Sequence, residues 1–322
     1  MKTPQNLLLA FTLVTSTIMS LSSTNLLSAW VGLELNMLSF IPMILEKKTT
    51  SEAETSVKYL IPQSVGSTIF MTASMLQTFT DLSNSLMTTA LLLKLGAAPF
   101  HSWFPAVMQL IDLKSGLILM TWQKLMPISL LLNSTDTQTP LIQTTAMLSA
   151  ICGSTGGLNQ TNLRTLMSFS SIAHLSWILA STSLNTTTTL LYLALYSANT
   201  TPIFLALMTQ QSTVHKTLLS FKTTKLAQLS IALNLLSLAG LPPLMGFSAK
   251  LMVLIQLKEH LTLISILIVG TAISLYFYLM LTLSVLTNLP NTTTPNDHYI
   301  TMAISTFLPQ SLSLPMMLTS TS

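Results

Sequence analysis

The sequence predicts an all-α, polytopic membrane protein with about eleven transmembrane helices. Half of its 322 residues are hydrophobic and only 7% are charged, whereas a soluble domain carries about 25% charged residues. Apolar stretches of roughly 18–22 residues recur along the chain, and each is long enough to cross about 30 Å of hydrocarbon as a helix. A membrane β-barrel would instead show alternating segments of about 10 residues, which this chain lacks.

Short connections separate the apolar stretches, so consecutive helices are expected to be antiparallel neighbours. The first stretch is interpreted as a transmembrane helix rather than a signal peptide, because no small-residue cleavage pattern follows it. No soluble domain is inserted, and residues 1–322 are expected to form a single transmembrane domain. We place the spans at Pro4–Leu21, Asn25–Leu45, Val57–Phe79, Leu86–Ile111, Gly116–Leu132, Leu141–Leu158, Leu163–Leu184, Thr188–Thr209, Leu226–Ile255, Leu261–Leu286 and Ile300–Leu318.

The loops between these spans carry their basic residues very unequally. Of the thirteen lysines and arginines, nine lie on the side of the N-terminus, one lies on the opposite side and three lie inside spans. Loops on the inner, negative-potential side of a membrane collect positive charge, so the N-terminus is predicted inside and the C-terminus outside. The nine residues are Lys2, Lys47, Lys48, Lys58, Lys114, Arg164, Lys216, Lys222 and Lys225.

Two spans are interrupted by glycine and proline near their middle. The fourth span contains the stretch Gly96–Pro99 and the ninth contains Gly240–Pro243. Proline removes a backbone donor and clashes with the preceding turn, so both helices should break there. Interrupted helices five spans apart indicate a transporter fold with inverted five-helix repeats. We place the repeats at roughly residues 1–135 and 140–290, and the final helix at 300–318.

Four charged residues lie deep inside the predicted spans, away from the span ends, namely Glu34, Lys94, Lys124 and Lys250. A charge at the bilayer centre costs roughly 2.5–3.5 kcal/mol on insertion scales, so stability alone would favour leucine. The structural alternatives are a neutral glutamic acid and lysines whose chains reach the membrane interface. We favour a relay in which buried ammonium and carboxylate groups pass protons through water and hydroxyl side chains.

Glu34 is interpreted as the counter-ion of a lysine on a neighbouring helix. Burial disfavours the charged form of a lysine, and a nearby carboxylate favours it. A small movement of the carboxylate would therefore switch the lysine between holding and releasing a proton. Lys94 and Lys250 each lie within about two turns of an interruption, where carbonyls freed from the helix can solvate an ammonium group.

His174 and His101 are the next candidates for proton transfer. Ser170, Ser171 and Ser176 lie near His174 at helical spacing, so a hydrogen-bonded structural histidine is an equal alternative. A haem held by these two histidines would need a large cavity lined by small residues, and we do not expect one.

Other cofactors and nucleic acid are not expected in this chain. Cys152 is the only cysteine, which excludes an internal disulfide and a four-thiolate zinc or iron–sulfur site. No glycine-rich phosphate-binding motif follows a strand. The net charge of +4 is not gathered into a basic patch on a polar fold, so it does not indicate nucleic-acid binding.

Six motifs that include these residues occur in one order along the chain. Together they resemble the chain 2 family of the mitochondrial NADH–ubiquinone oxidoreductases (respiratory complex I), whose members are antiporter-like membrane subunits. The resemblance runs from about residue 1 to residue 320, and the 19 methionines resemble a mitochondrially encoded product. The motifs are Trp30–Met37, Lys94–Pro105, Thr121–Lys124, Gly157–Arg164, Ser170–His174 and Gly240–Phe247.

The resemblance implies roles for the four charges in a proton-translocating subunit. Glu34 and Lys94 become the charge pair, Lys124 the central proton-carrying residue and Lys250 the residue on the exit side, with His174 a further candidate. Quinone reduction in a partner subunit would supply the energy.

The resemblance also implies partners and a location. NAD, FMN, iron–sulfur clusters and ubiquinone are expected in partner subunits, with no cofactor in this chain. The expected neighbours are other membrane-arm subunits, including antiporter-like ones, and membrane lipids, with cardiolipin a candidate. The expected location is the mitochondrial inner membrane, with the N-terminus in the matrix and the C-terminus in the intermembrane space.

Two alternatives stay open. A stand-alone secondary cation/proton antiporter of the same architecture would need several oxygen ligands near an acidic residue, and Glu34 is the only acid inside the spans. A structural scaffold that no longer pumps would keep the four charges as vestiges.

Overall fold

The computed structural model of the chain describes residues 4–46, 49–76, 82–133, 140–210, 225–258 and 260–287. Within these ranges the chain forms thirteen α-helices and no β-strand, so the predicted all-α class is confirmed there. The helices are α1 (Pro4–Ser22), α2 (Leu26–Ile44), α3 (Thr50–Leu76), α4 (Leu82–Leu95), α5 (Trp103–Leu110), α6 (Leu113–Met120), α7 (Trp122–Asn133), α8 (Pro140–Gly157), α9 (Leu163–Thr182), α10 (Thr186–Gln210), α11 (Lys225–Ala239), α12 (Met245–Gln256) and α13 (Leu261–Leu286).

Several predictions concern residues outside these ranges. The eleventh span, Ile300–Leu318, is one of them, so the count of eleven stays a prediction. The loop residues Lys2, Lys47, Lys48, Lys216 and Lys222 also lie outside the described residues.

Among the residues that the structure describes, five helical stretches are long and apolar enough to cross a membrane. The third stretch consists of α6 and α7 together. Shorter apolar segments lie in α11 and α12. The chain therefore has the helices of a membrane domain. The five stretches are Pro4–Ser22, Leu26–Ile44, Leu113–Asn133, Thr186–Met208 and Leu261–Leu286.

Serine and threonine are common in these apolar helices, and their hydroxyls are satisfied locally. The Ser16 hydroxyl donates to the carbonyl of Leu13 at 2.8 Å, and the Thr17 hydroxyl donates to that of Val14 at 2.7 Å. The same bond to the preceding turn recurs in most of the helices. A hydroxyl bonded in this way does not expose an unpaired polar group to lipid.

Both predicted helix interruptions are present, and both have the same backbone geometry. Gly96 follows α4 with φ of +70°, and Gly240 follows α11 with φ of +88°. At the first, the Gly96 N–H donates to the carbonyl of Leu93 at 3.1 Å and the Ala97 N–H to that of Leu92 at 3.0 Å. The equivalent two bonds form at Gly240. These are Schellman caps, in which glycine takes the left-handed conformation at little cost.

Three predicted spans differ from the structure in detail. The fifth span, Gly116–Leu132, lies within one apolar stretch, Leu113–Asn133, but Thr121 divides this stretch into α6 and α7. In the fourth span, Leu86–Ile111, the segment after the break is only the eight residues of α5, which extend about 12 Å. The third, Val57–Phe79, begins early at Thr50, because helical hydrogen bonding continues through its polar first turns.

The chain divides into two compact units, Met1–Thr145 and Ala146–Ser322, called the N-terminal unit and the C-terminal unit below. In the N-terminal unit α1 packs on α2, α3 packs on α4 and α5, and α4 packs on α7. In the C-terminal unit α11 packs on α10 and α13, and α9 packs on α10. A single domain of two inverted repeats, at 1–135 and 140–290, stays a prediction.

Candidate functional site

Lys94 lies in the last turn of α4, where the first interruption frees backbone carbonyls. Its own carbonyl accepts a hydrogen bond from Gln63 Nε2 of α3 at 3.0 Å. The carbonyl of Leu93 accepts one from Trp103 Nε1 of α5 at 3.2 Å. The side chain packs against Gly66 of α3, where an added Cβ would lie 2.9 Å from Lys94 Cγ. Two neighbouring helices therefore fix this helix end and the stem of the lysine.

Glu34 interacts electrostatically with Lys94. Glu34 lies on α2 and is half-buried, and it is near enough to Lys94 for an electrostatic interaction. The structure therefore brings these two predicted residues within electrostatic range of one another. Whether they act as a relay pair stays a prediction.

Lys124 lies in the first turn of α7 and is only 3% exposed. Its Nζ lies 5.7 Å from the centroid of the Phe104 ring of α5, which is within the range of a cation–π contact. The Phe104 ring packs edge-on against Trp103, with centroids 5.5 Å apart. The Phe104 ring, which follows the first interruption, thus lies against the Lys124 ammonium.

One cavity joins Lys94 to Lys124. Both lysines line it, together with the amide side chains of Asn36, Gln63 and Gln123. The volume that a water-sized sphere can occupy inside it is about 20 Å³, and roughly 10–15 Å³ by this measure holds one water. With polar groups on several sides, this is a place where a water could bridge two buried ammonium groups.

Asn36 and Gln123 form a reciprocal pair of hydrogen bonds across this cavity. Asn36 Nδ2 donates to Gln123 Oε1 at 2.8 Å, and Gln123 Nε2 donates to Asn36 Oδ1 at 3.2 Å. Asn36 Nδ2 also contacts the sulfur of Met126 at 3.0 Å. These two amides were not among the site residues predicted from the sequence. The sequence did contain an indication, because both amides lie in apolar spans next to charged residues. Asn36 lies two residues after Glu34, and Gln123 directly precedes Lys124.

Lys250 lies in α12 beside the second interruption. Its Nζ donates to the carbonyl of Ala239 at 2.9 Å and to that of Leu238 at 3.3 Å, and both carbonyls belong to the C-terminal turn of α11. An added Cβ at Gly240 would lie 2.9 Å from the same Nζ. The negative end of a helix dipole favours a cation, so the end of α11 forms a fitting site for this ammonium.

His174 lies in α9 within a cluster of tyrosines. Its Nδ1 is 3.0 Å from the hydroxyl of Tyr192, and the ring centroid of Tyr196 is 5.2 Å from its own. Tyr278 of α13 lies within electrostatic range of both tyrosines. This cluster is built from α9, α10 and α13, whereas the Lys250 site is built from α11 and α12.

His101 lies between α4 and α5 in the first interruption. It is half-buried, and its Nδ1 is buried without a hydrogen-bond partner among the described residues. Its role as a proton carrier stays a prediction, like that of His174.

The chain is similar to known membrane proteins along most of its length. Residues 77–275 match a family model described as NADH:quinone oxidoreductase/Mrp antiporter, TM. NADH-ubiquinone oxidoreductase chain 2 of Cynictis penicillata is 39% identical, with 91% of this chain and 89% of the relative covered. The protein of the same description from Bos taurus is 37% identical, with 97% of this chain and 95% of the relative covered.

Two solved structures share the fold. A chain of respiratory complex I from Thermus thermophilus superposes with a TM-score of 0.87 at 24% identity, covering 97% of this chain and 78% of that chain. A chain of the Mrp complex from Dietzia sp. DQ12-45-1b superposes with a TM-score of 0.73 at 17% identity, covering 90% of this chain and 61% of that chain. The helical arrangement is therefore that of antiporter-like membrane subunits.

Proposed function

This chain belongs to the NADH–ubiquinone oxidoreductase chain 2 family, and from that premise we propose that it translocates protons in the membrane arm of respiratory complex I. The supporting observation is the cavity that joins Lys94 to Lys124. Two ammonium groups that share a polar, water-sized cavity inside an apolar helical domain favour proton transfer over a purely structural role.

The proposed relay begins with Glu34 and Lys94 and continues to Lys124. When the carboxylate of Glu34 moves away, the Lys94 ammonium loses the interaction that offsets its burial. The Nζ of Lys94 then gives a proton to a water in the cavity, and this water gives a proton to the neutral amine of Lys124. The return of the carboxylate favours reloading of Lys94.

Lys250 is the proposed residue on the exit side, and His174 is a further candidate for the relay. The carbonyls of α11 that accept from Lys250 favour its charged form while α11 and α12 keep their present contact. A change in that contact would release the proton. The hydroxyl of Tyr192, 3.0 Å from His174 Nδ1, offers a proton path that the sequence did not indicate.

In this proposal the chain performs no redox chemistry itself. Quinone reduction in a partner subunit drives the relay, and NAD, FMN, iron–sulfur clusters and ubiquinone bind to partner subunits. The neighbours include other antiporter-like subunits and membrane lipids, among which cardiolipin is a candidate.

The proposed location is the mitochondrial inner membrane, crossed eleven times by two inverted repeats and a final helix. The unequal distribution of basic loop residues supports an N-terminus in the matrix and a C-terminus in the intermembrane space.

The direct test is a Lys124→Met substitution in the assembled complex, read as the number of protons translocated per electron. We expect the ratio to fall while NADH oxidation by quinone continues. The matched control is Lys58→Met, because Lys58 is an exposed lysine of the same unit paired with Glu54, and this variant should pump normally. An unchanged ratio in an assembled Lys124→Met complex would refute the proposal.

A further inference from the structure

We propose that Asn36 and Gln123 act as a latch between α2 and α7 that positions Lys124 for proton exchange with Lys94. The latch is the reciprocal pair of amide hydrogen bonds at 2.8 and 3.2 Å. This inference rests on the proposed function, since it concerns a step of the same relay.

The chemistry of the pair favours a positioning role over a carrying role. A carboxamide offers two N–H donors and one carbonyl acceptor, and it is neither an acid nor a base near neutral pH. Asn36 and Gln123 each donate to and accept from the other, so part of their capacity for binding cavity water is used. The pair therefore fixes distances in the cavity without taking up protons.

The backbone around Gln123 lacks part of the usual hydrogen bonding of a helix, so a contact with another helix can fix its position. Thr121 interrupts the helical structure between α6 and α7. The Lys124 N–H donates to the carbonyl of Thr121 at the long distance of 3.4 Å. Pro127 lies inside α7 and has no N–H to donate to the carbonyl four residues earlier, which is that of Gln123. The first turn of α7 thus has one long hydrogen bond to Thr121 and lacks the bond that Pro127 cannot donate, and the latch adds a contact between this turn and α2.

The two ends of the latch lie beside two residues of the proposed relay. Asn36 is two positions after Glu34 on α2, and Gln123 directly precedes Lys124 on α7. A movement of α2 that changes the distance from Glu34 to Lys94 would be transmitted through the latch to Lys124. The release of a proton by Lys94 and its uptake by Lys124 would then occur together rather than independently.

The test uses variants that separate hydrogen bonding from packing. Gln123→Met keeps the length of the side chain and removes the amide. The double variant Asn36→Gln/Gln123→Asn exchanges the two amides, so the summed side-chain length and both hydrogen bonds can be kept. Asn36→Leu/Gln123→Met fills the same space with two apolar side chains. Each is measured in the assembled complex for protons per electron and for NADH oxidation by quinone.

We expect Gln123→Met and the apolar double variant to lose at least half of the protons that Lys124→Met loses. The exchanged variant should recover most of this loss. Equal pumping by the apolar double variant and the unmodified chain would overturn the latch, because packing alone would then suffice. If Gln123→Met fails to assemble, Gln123→Asn, which shortens the side chain by one methylene, replaces it with the same expectation.

The outcomes also separate this inference from the proposed function. If Lys124→Met lowers the proton ratio and Gln123→Met does not, the latch is wrong and the relay stands. If neither variant lowers the ratio, the relay itself is wrong.

Discussion

The two interrupted helices, one in each unit, end in the same way but use their lysines differently. Gly96 and Gly240 both form Schellman caps with positive φ. Lys94 precedes its glycine and lies in the last turn of the interrupted helix, whereas Lys250 follows its glycine and lies in the next helix. The same type of helix cap is therefore preceded by a buried lysine at the first break and followed by one at the second.

The position of each lysine determines which group donates to the free carbonyls at the helix end. A Schellman cap satisfies two carbonyls and leaves the last ones of the helix without backbone donors. At the second break, the carbonyls of Leu238 and Ala239 receive the Lys250 ammonium. At the first break, the carbonyl of Lys94 receives the neutral amide of Gln63 instead. The Lys94 ammonium is thereby left available to the cavity.

Two buried lysines beside similar breaks can therefore differ in how their charge is stabilised. The partners of Lys250 are backbone dipoles, which move only if a helix end moves. The electrostatic partner of Lys94 is the carboxylate of Glu34, which a side-chain rotation can move. In the proposed relay, Lys94 would therefore be switched by a local change, and Lys250 by a movement of α12 against α11.

The strongest way to break the comparison is to separate the two helices at the second interruption. A Cβ at Gly246 would overlap the carbonyl oxygen of Ser237, so Gly246→Ala forces α12 away from α11. Overpacking usually costs about 1–3 kcal/mol, and a clash with backbone places this variant at the upper end. We expect the amount of assembled complex on native gels to fall several-fold, since such losses change cellular abundance.

The control for this variant is Gly270→Ala in the same unit. A Cβ there would lie 3.1 Å from the carbonyl of Ala150, which requires only a small adjustment. Normal assembly of Gly246→Ala would mean that close packing of α11 and α12 does not hold the Lys250 site together.

A second prediction compares the two lysines directly through stability. Lys250→Met removes the cost of burying a charge, but it leaves the carbonyls of Leu238 and Ala239 without their donor. Each buried unsatisfied group costs about 1–3 kcal/mol, so we expect the loss of the two hydrogen bonds to outweigh the gain. Lys94→Met leaves its carbonyl bonded to Gln63, so we expect a loss below about 1 kcal/mol. The measurement is the temperature at which the subunit becomes sensitive to protease in the solubilised complex.

Both methionine variants should lower the proton ratio, but only Lys250→Met should clearly lower that temperature. Equal temperatures for the two variants would contradict the difference in carbonyl partners on which the comparison depends.

The features that could be predicted from the sequence are those that one residue type determines locally. Glycine and proline indicated both interruptions, and a charge in an apolar stretch indicated each buried lysine. The break at Thr121 could not be predicted in this way, because neither glycine nor proline occurs there. The latch was missed for another reason. Asn36 and Gln123 are 87 positions apart, and only the fold brings two ordinary amides into reciprocal contact.

The smallest expected effect on stability, and the sharpest test of Lys94, comes from Gly66→Ala in α3. The added Cβ would lie 2.9 Å from Lys94 Cγ, in the part of the side chain that packs against Gly66, so the lysine must shift. Replacing a glycine inside a helix gains about 0.5–1 kcal/mol, which should offset the displacement. We therefore expect normal assembly but a lower proton ratio, because the ammonium shifts in the cavity.

Ser67→Ala is the matched control for Gly66→Ala, because the Ser67 hydroxyl donates within α3 to the carbonyl of Ser64. Gly240→Ala is the companion at the second break, where a Cβ would also crowd a lysine, here Lys250. Compared with Gly66→Ala, Gly240→Ala should lower the stability by about 1–2 kcal/mol more, because alanine is strained at a positive φ. If Gly66→Ala pumps normally, the position of Lys94 in the cavity does not matter for proton transfer. The difference between Lys94 and Lys250 would then have no effect on pumping.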